Sequence, residues 1–472
     1  MHDRSATRWR RPATTSAAIV AALALTVACS GSPQEGTESG PDASDVDASA
    51  EVSITTAGLA PTERAEERAL YLDRVERFEA QYPNIDLEPT EFSYDPATFN
   101  AQLEGGTLPD TFTVPFTEIQ GLIERGQVAD ITDFAIENEV ISGLNENVLQ
   151  VGRDAEGKLY GVPIAAYTMG LLYNRELFEE AGLDPDAPPT TWEEVAEAAE
   201  AIENATDASG FGIMTLENAG GWTLSALSYA FGGLMQDEVD GSTQAVFADT
   251  GATAEALEWI QDVRWNRDAW TDDTLLSGDD ARNAFAGGNL GMWIGGADIY
   301  DDVVGNRGMD PDDVGIAPMP QSQDGLGALG GGSISVASPL AEANQVAAAL
   351  RWIEFGDLSK FTDEDAAVAD AQARQNDEFP VGAPRLPLTG QEQEAQYQEW
   401  IAPYVDVPQD HFTAYQESTT SLPIVLEPAV QAQALYAALD AVVQEVLTTQ
   451  DTDIQGLLDS AQEQFNAQIT VE

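Results

Sequence analysis

Residues 51–126 read EVSITTAGLAPTERAEERALYLDRVERFEAQYPNIDLEPTEFSYDPATFNAQLEGGTLPDTFTVPFTEIQGLIERG, and their periodicity decides the fold class. Glu51-Val52-Ser53-Ile54-Thr55 alternates and is β-branched, which predicts a strand. Thr62 is placed to cap a helix carrying Ala65, Ala69, Leu72, Val75, Phe78 and Tyr82 at helical spacing, and Pro83 stops it. Ile85–Glu88 predicts a second strand, Thr98–Glu104 a helix ended by Gly105-Gly106, and Leu108–Val114 a third strand. Thr117–Arg125 predicts a helix closed by Gly126. A βαβα order of this kind predicts an α/β fold with a largely parallel sheet.

The alternation continues. Leu172-Tyr173-Asn174 is strand-like, and Thr191-Trp192-Glu193-Glu194 is a capping box opening a helix through Ile202. Gly210–Thr215 predicts a strand, and Gly221-Trp222-Thr223 opens a helix to Phe231. Gly291–Ile294 and Val314–Pro318 predict further strands, and Leu422–Phe465 reads as helical with a break near Gln450-Asp451. Trp293 falls on a strand with core spacing, and Trp192, Trp259 and Trp352 fall on helix packing faces.

The 472 residues carry 82 Asp+Glu against 20 Lys+Arg, a formal net charge of −62. A field this negative repels phosphate backbones and anionic headgroups, so nucleic acid and anionic membrane surfaces are excluded as partners of the folded part. Cys29 is the single cysteine, which excludes an intrachain disulfide and a cysteine-based zinc site. His2 and His411 are the only histidines, too few for a multi-histidine metal centre. No cofactor is implied.

Residues 1–28 read as an export signal. Arg4, Arg8, Arg10 and Arg11 precede the apolar run Ala17–Ala28, which is too short to span a bilayer as a helix. Arg10-Arg11 leaves a twin-arginine route open beside the general one. Leu25-Thr26-Val27-Ala28-Cys29 resembles a lipobox, with Thr26 in place of the usual Leu, so Cys29 is expected to be lipidated, membrane contact then coming from acyl chains alone. Residues 29–50, rich in Ser, Gly, Pro and acids, are expected to form a disordered acidic tether. Loss of residues 1–28 removes Asp3 and four arginines, leaving 81 acids against 16 bases. Scarce Lys fits a genome favouring Arg, but the acid excess points to a surface adapted to high salt.

Several stretches, in order, resemble the extracellular solute-binding proteins of ABC importers, family 1, the maltose-binding type. They are Phe78–Pro83, Leu108-Pro109-Asp110 with Leu122–Ile131, Lys158–Pro163, Leu172–Phe178, Thr191–Glu194, Ala284–Met292, and Ala317–Pro320 before Leu329–Gly332. The likeness covers about residues 50–470, and its specificity lies in the order and spacing of the motifs.

The resemblance implies a two-lobed periplasmic-binding-protein-like fold of type II, each lobe a mainly parallel sheet flanked by helices, with a ligand cleft between. It places residues 51–167 plus 321–353 in lobe 1 and 168–320 plus 354–472 in lobe 2, with crossings near Ala166–Gly170, Pro318–Gln323 and residues 353–360. It implies a monomer at the outer face of the cell membrane. That monomer closes on a small solute and hands it unchanged to the transmembrane subunits of a permease, without catalysis.

Sugars offer flat CH faces and hydroxyl rims, which suit aromatic faces and planar polar groups. Trp222, beside Gly221 at a helix start, stands where the family places a stacking aromatic. Tyr167 lies in the expected hinge. Asp110, Phe116 and Thr117 end a strand expected to face the cleft, and Glu63 and Arg64 begin the first helix. Gly330 and Gly331, within a triple glycine completed by Gly332, would let a ligand approach the backbone. Each has a plainer alternative: a core Trp, a capping acid, a solvated helix end or a mobile turn. One departure stands out: where the family often has a Trp, this chain has Asp298, a carboxylate that can accept paired hydroxyls or a ligand amine.

An uncharged mono- or oligosaccharide is therefore the expected ligand. An amine-bearing or compatible solute, held by aromatic rings and Asp298, is the alternative within binding. A secreted glycosidase with two carboxylates belongs to another class, and no signature for it occurs. No D-x-[DN]-x-[DN]-G calcium loop occurs either, and Asp310–Asp313 reads as a turn.

Overall fold

A computed structural model describes residues 41–469. The export signal, Cys29 and the first part of the expected tether lie outside the described residues. Among the described residues eleven strands are formed: β1 (Val52–Thr56), β2 (Ile85–Pro89), β3 (Thr111–Pro115), β4 (Gly161–Asn174), β5 (Ser209–Gly212), β6 (Gln236–Val239), β7 (Ser242–Ala245), β8 (Leu290–Gly296), β9 (Val314–Pro318), β10 (Ala328–Ala337) and β11 (Ile424–Val425). The main sheet runs β2-β1-β3-β10-β4-β8-β5, with β9 on β4 and β11 on β10, while β6 and β7 form a separate hairpin.

The predicted βαβα start is present, with β1 parallel to both β2 and β3. Helix Ala65–Gln81 lies between β1 and β2 and ends at Tyr82, before Pro83. Its N-cap is Arg64 without a side-chain cap bond, not Thr62. The expectation of mainly parallel sheets is corrected. β10 is antiparallel to β3 and β4, and β4 is antiparallel to β8 and β9. The sheet is mixed because β10 returns from the far end of the chain to fill the gap between β3 and β4.

Two strands are shared by two cores. Val162 of β4 and Ile334 and Val336 of β10 are buried with Phe112, Ile119 and Leu122 in a first lobe. Met169 and Leu171 of β4 and Leu329 of β10 are buried with Leu224, Tyr229 and Leu439 in a second. Between these ends the strands pair as a ribbon, Gly331 opposite Tyr167 and Gly332 opposite Ala166. The first crossing runs along β4 through this paired stretch. The second lies in β10, about ten residues beyond the expected Pro318–Gln323. A register shift between Ser333 and Ile334 marks the ribbon's first-lobe end.

The third boundary also moves. Leu358, Phe361, Leu386 and Leu388 belong to the first core, so the stretches around them do not join lobe 2 as expected, although Ala383 between them packs against the second lobe. Helix Ala343–Ile353 runs through a π-helical turn, Glu354–Leu358, directly into Ser359–Thr362, so the chain has no opportunity to leave. It crosses later, before Val407 and Phe412, which pack in the second lobe. The tether is shorter than expected too: Ala43–Asp45 is a 3₁₀ turn capped by Asp42, and the Asp47 amide donates to Asn344 Oδ1 at 2.8 Å.

Trp293, Trp192 and Trp352 are buried as expected, and Trp259 packs against the second core. The helical reading of Leu422–Phe465 is corrected at its start, since the helices are Ala432–Thr448 and Ile454–Ile469. Pro428 would lie inside a helix begun at Leu422, where it lacks the amide the helix needs, and β11 and a loop stand there instead.

Gly221 lies in helix Ala219–Phe231, where a β-carbon would collide with the Tyr436 carbonyl of helix Ala432–Thr448. Gly221→Ala is expected to cost about 1–3 kcal/mol through overpacking, read as a lowered melting temperature by calorimetry.

Candidate functional site

A cleft of roughly 390 Å³ opens beside the ribbon. The first lobe contributes Phe116 and Thr117, the ribbon Tyr167 and Gly332, and the second lobe Trp222 and Arg282. Four of these are predicted site residues. Phe116 and Thr117 are there because β3 ends at Pro115 and a helix, Phe116–Glu124, starts at once.

Trp222 is fixed on three sides. Its indole N–H donates to Glu427 Oε1 at 2.9 Å. Its ring meets Tyr167 edge-on, with centroids 6.5 Å apart and planes at 74°. Its helix is anchored by the buried Asp440, which accepts the Gly221 amide at 2.7 Å and the Asn218 amide at 2.9 Å. Asp440 thereby meets the free amides and the positive end of the helix dipole.

Glu427 also lines the cleft. Burial pushes its carboxyl up to about 7, and the nearby Glu118 adds to the rise, while the Trp222 N–H opposes it. Tyr436, 1% exposed, faces the same space, and its phenol has no hydrogen-bond partner among the described residues. An unpaired buried hydroxyl costs about 1–3 kcal/mol. Burial and neighbouring Glu427 hold the Tyr167 phenol above its ordinary range.

Glu217 and Asn218 line the cleft with left-handed backbone, φ 61° and 67°. Such conformations in non-glycine residues concentrate at ligand sites. Asn218 Nδ2 donates to Gln433 Oε1 at 3.1 Å, tying the two helix starts of the second lobe together.

Asp298 stands beside Tyr167, both flanking Gly296, where a β-carbon would lie 2.9 Å from the Tyr167 ring. Asp298 is exposed and does not line the cleft, although enough protein surrounds its carboxyl to desolvate it in part. That partial desolvation raises its carboxyl, against its own backbone amide and Arg282.

The remaining predicted residues are corrected. Asp110 is spent on structure: Oδ2 accepts from the Thr55 amide at 2.7 Å and the Thr55 hydroxyl at 2.8 Å, and Oδ1 from Gln345 at 3.1 Å. It pins β1, the start of β3 and helix Ala343–Ile353 together. Glu63 and Arg64 are exposed and do not line the cleft, and Arg64 pairs with Glu67 at 2.9 Å. Gly221 is buried between two helices. The space above Gly330 is filled by Ile424 and that above Gly331 by the Tyr167 ring, leaving Gly332 as the glycine of the triplet on the cleft.

Sequence reasoning missed Glu217, Asn218, Arg282, Glu427 and Tyr436. Pro423 and Pro428 held a signal for Glu427, because they exclude a helix across it. The β-branched Ile424 points the same way, since it suits β11 better than a helix start. Asn tolerates left-handed backbone, so Asn218 before Ala219-Gly220-Gly221 carried a weaker signal.

A concave space between two α/β lobes, with aromatic faces and polar groups unpaired among the described residues, has the geometry of a binding cleft. Among the described residues no helix is long and apolar enough to cross a membrane. The chain belongs to the family described as bacterial extracellular solute-binding protein, whose pattern matches residues 62–356. It is 27% identical over 230 residues to a putative binding protein of Brucella abortus, covering 48% of this chain and 54% of that one. It is 24% identical over 263 residues to a putative ABC transporter periplasmic-binding protein of Escherichia coli, covering 53% and 57%. The chain thus spans about half the length of the curated relatives it matches.

Solved structures share the fold. The cyclic alpha-maltosyl-1,6-maltose binding protein of Arthrobacter globiformis aligns with TM-score 0.65 and 21% identity, over 88% of this chain and 98% of that one. UgpB of Mycobacterium tuberculosis, in complex with glycerophosphocholine, aligns with TM-score 0.65 and 17% identity over the same shares. A solute-binding protein of Thermotoga lettingae, bound with alpha-D-tagatose, aligns with TM-score 0.62 and 20% identity, over 89% and 99%.

The Glu427 carboxyl, ordinarily near 4.3 in an unfolded chain, titrates at about 7 in the folded one. The folded state therefore holds more protons between these values, and this contribution to stability is present below about pH 4 and lost as pH rises through about 7. The loss is expected to be roughly 4 kcal/mol at most, reduced by solvent access to the cleft. Glu427→Gln is expected to flatten the pH dependence of urea unfolding across that range.

Proposed function

We propose that the protein is the extracytoplasmic substrate-binding component of an ABC importer and that it captures an uncharged carbohydrate. The observation that carries this reading is the Trp222 face, held in the cleft by Glu427 and Tyr167 beside the unpaired Tyr436 phenol. The indole supplies a stacking surface for a sugar ring. Glu427 accepts from a ligand hydroxyl, and the Tyr436 O–H donates to one. Among the described residues Arg282 is the one cation lining the cleft, against Glu217 and Glu427, which disfavours phosphorylated solutes. Sugar ligands named for two of the structural neighbours support the same reading, whereas glycerophosphocholine in a third shows that the fold alone does not select sugars.

Contacts from both lobes favour the closed form, and the permease subunits read that form. No step alters the solute. In this reading the chain is exported, lipid-anchored at Cys29 and monomeric.

A second reading rests on the same carboxylates. Glu217 and Glu427, which line the cleft with Tyr167 and Trp222, would also hold a cationic or compatible solute through ion pairing and cation–π attraction. Calorimetric titration with maltose, trehalose, betaine and sn-glycerol-3-phosphate separates these. Saturable heat is expected with a neutral sugar and none with the phosphate, and betaine alone binding would replace the first reading by the second. Trp222→Ala is expected to weaken the sugar at least tenfold, since losing a stacked ring removes about 1.4 kcal/mol or more.

The acidity of the surface is read as salt adaptation. Counterions screen carboxylate repulsion, so the melting temperature is expected to rise steadily from about 0.1 to about 2 M KCl. A flat or falling curve would remove this part of the proposal.

A further inference from the structure

A groove of roughly 610 Å³ lies away from the cleft, and none of its lining residues belongs to the cleft. One wall is Leu144–Asn147 with the segment Arg385–Gln398, which packs on the first lobe through Leu144, Leu386 and Leu388. The other wall includes Gln416 and Thr420, beside Phe412 and Tyr415 of the second core. The groove therefore has one wall on each lobe.

It also lies on the other face of the ribbon. Neighbouring residues of a strand point to opposite faces. Tyr167 faces the cleft, and the next residue, Thr168, bonds the Tyr415 hydroxyl at 2.9 Å. Tyr415 belongs to the helix Thr413–Ser418, which also provides Gln416.

The chemistry of the lining departs from the rest of the surface. In a chain of net charge −62, the groove is walled mainly by carboxamides and hydroxyls. Its two acids are each held by an arginine, Glu394 by both oxygens on Arg385 Nη2 at 2.7 and 2.6 Å, and Glu146 by Arg153 at 3.2 Å. Two glutamines are fixed through their nitrogens, Gln398 on Glu394 at 2.8 Å and Gln409 on the Gly382 carbonyl at 2.9 Å. Their amide oxygens are left as oriented acceptors. Arg385 is packed over the Phe361 and Tyr397 rings, 4.5 and 4.8 Å from their centroids, which holds its carboxylate partner in place. Oriented acceptors and the apolar Leu144 and Pro387 suit a molecule with many hydroxyls and no charge. The volume lies within the range of small-molecule sites.

We propose that this groove is a second solute site, taking a neutral polyhydroxyl compound, and that its occupancy biases the angle between the lobes. A molecule touching both walls binds different lobe angles with different affinity, so it is coupled to the cleft by linkage.

Trehalose is the probe, with betaine and sn-glycerol-3-phosphate as charged controls. Titrated calorimetrically, the Trp222→Ala protein is expected to take up one equivalent of trehalose and neither control. Gln416→Trp and Gln398→Ala, both at helix surfaces, are each expected to weaken that uptake at least tenfold. In the unaltered protein with its cleft saturated by whichever sugar it binds, added trehalose is expected to shift the cleft affinity several-fold. Absence of uptake both by folded Trp222→Ala and by the cleft-saturated unaltered protein would overturn the proposal. So would uptake untouched by both groove substitutions. A cleft that binds no sugar, with groove uptake intact, would sink the carbohydrate reading of the cleft and leave this site standing.

Discussion

The structure depends on the pairing of β4 with β10. These strands are long enough for each end to lie in a different hydrophobic core, so the backbone hydrogen bonds that join them also join the lobes. Any rotation between the halves has to be absorbed along the paired stretch Ala165–Thr168 and Gly330–Ser333. Glycines suit that stretch. At Gly331 a side chain would strike the Tyr167 ring, and at Gly332 the backbone adopts φ +156° against the Ala165 carbonyl. The triplet sets how closely two strands and one aromatic ring approach, and that ring becomes the floor of the cleft.

From this floor the cleft is built by helix starts. Phe116 begins a helix directly after β3, and Trp222 lies in the first turn of another, anchored by Asp440 from a helix more than two hundred residues further on. Helix beginnings present free amides and a positive field, and carboxylates gather near them for that reason. The carboxyl of Glu427 is held between an indole that stabilises its charge and an apolar setting that opposes it.

Local patterns were legible in the sequence where one element folds on itself. The Thr191 capping box, the stop at Pro83 and the strand Val314–Pro318 follow from their own residues. Trp222, Tyr167, Phe116 and Thr117 were legible as cleft residues through the likeness to a known family. What failed depended on partners remote in the chain. Asp110 looked available until Thr55 and Gln345 claimed both its oxygens. The glycine triplet looked open until Ile424 and Tyr167 filled it. Periodicity says which face of an element is apolar, not which of two cores receives it, and so Leu358, Phe361, Leu386 and Leu388 pack in the lobe opposite to the one expected.

The short turn at Ala43–Asp45 has a mechanical meaning. Because the Asp47 amide is clipped to Asn344, the first described residues are tied to one half only. Whatever is joined to the chain ahead of that clip is therefore coupled to one half directly and to the other only through the β4–β10 pairing.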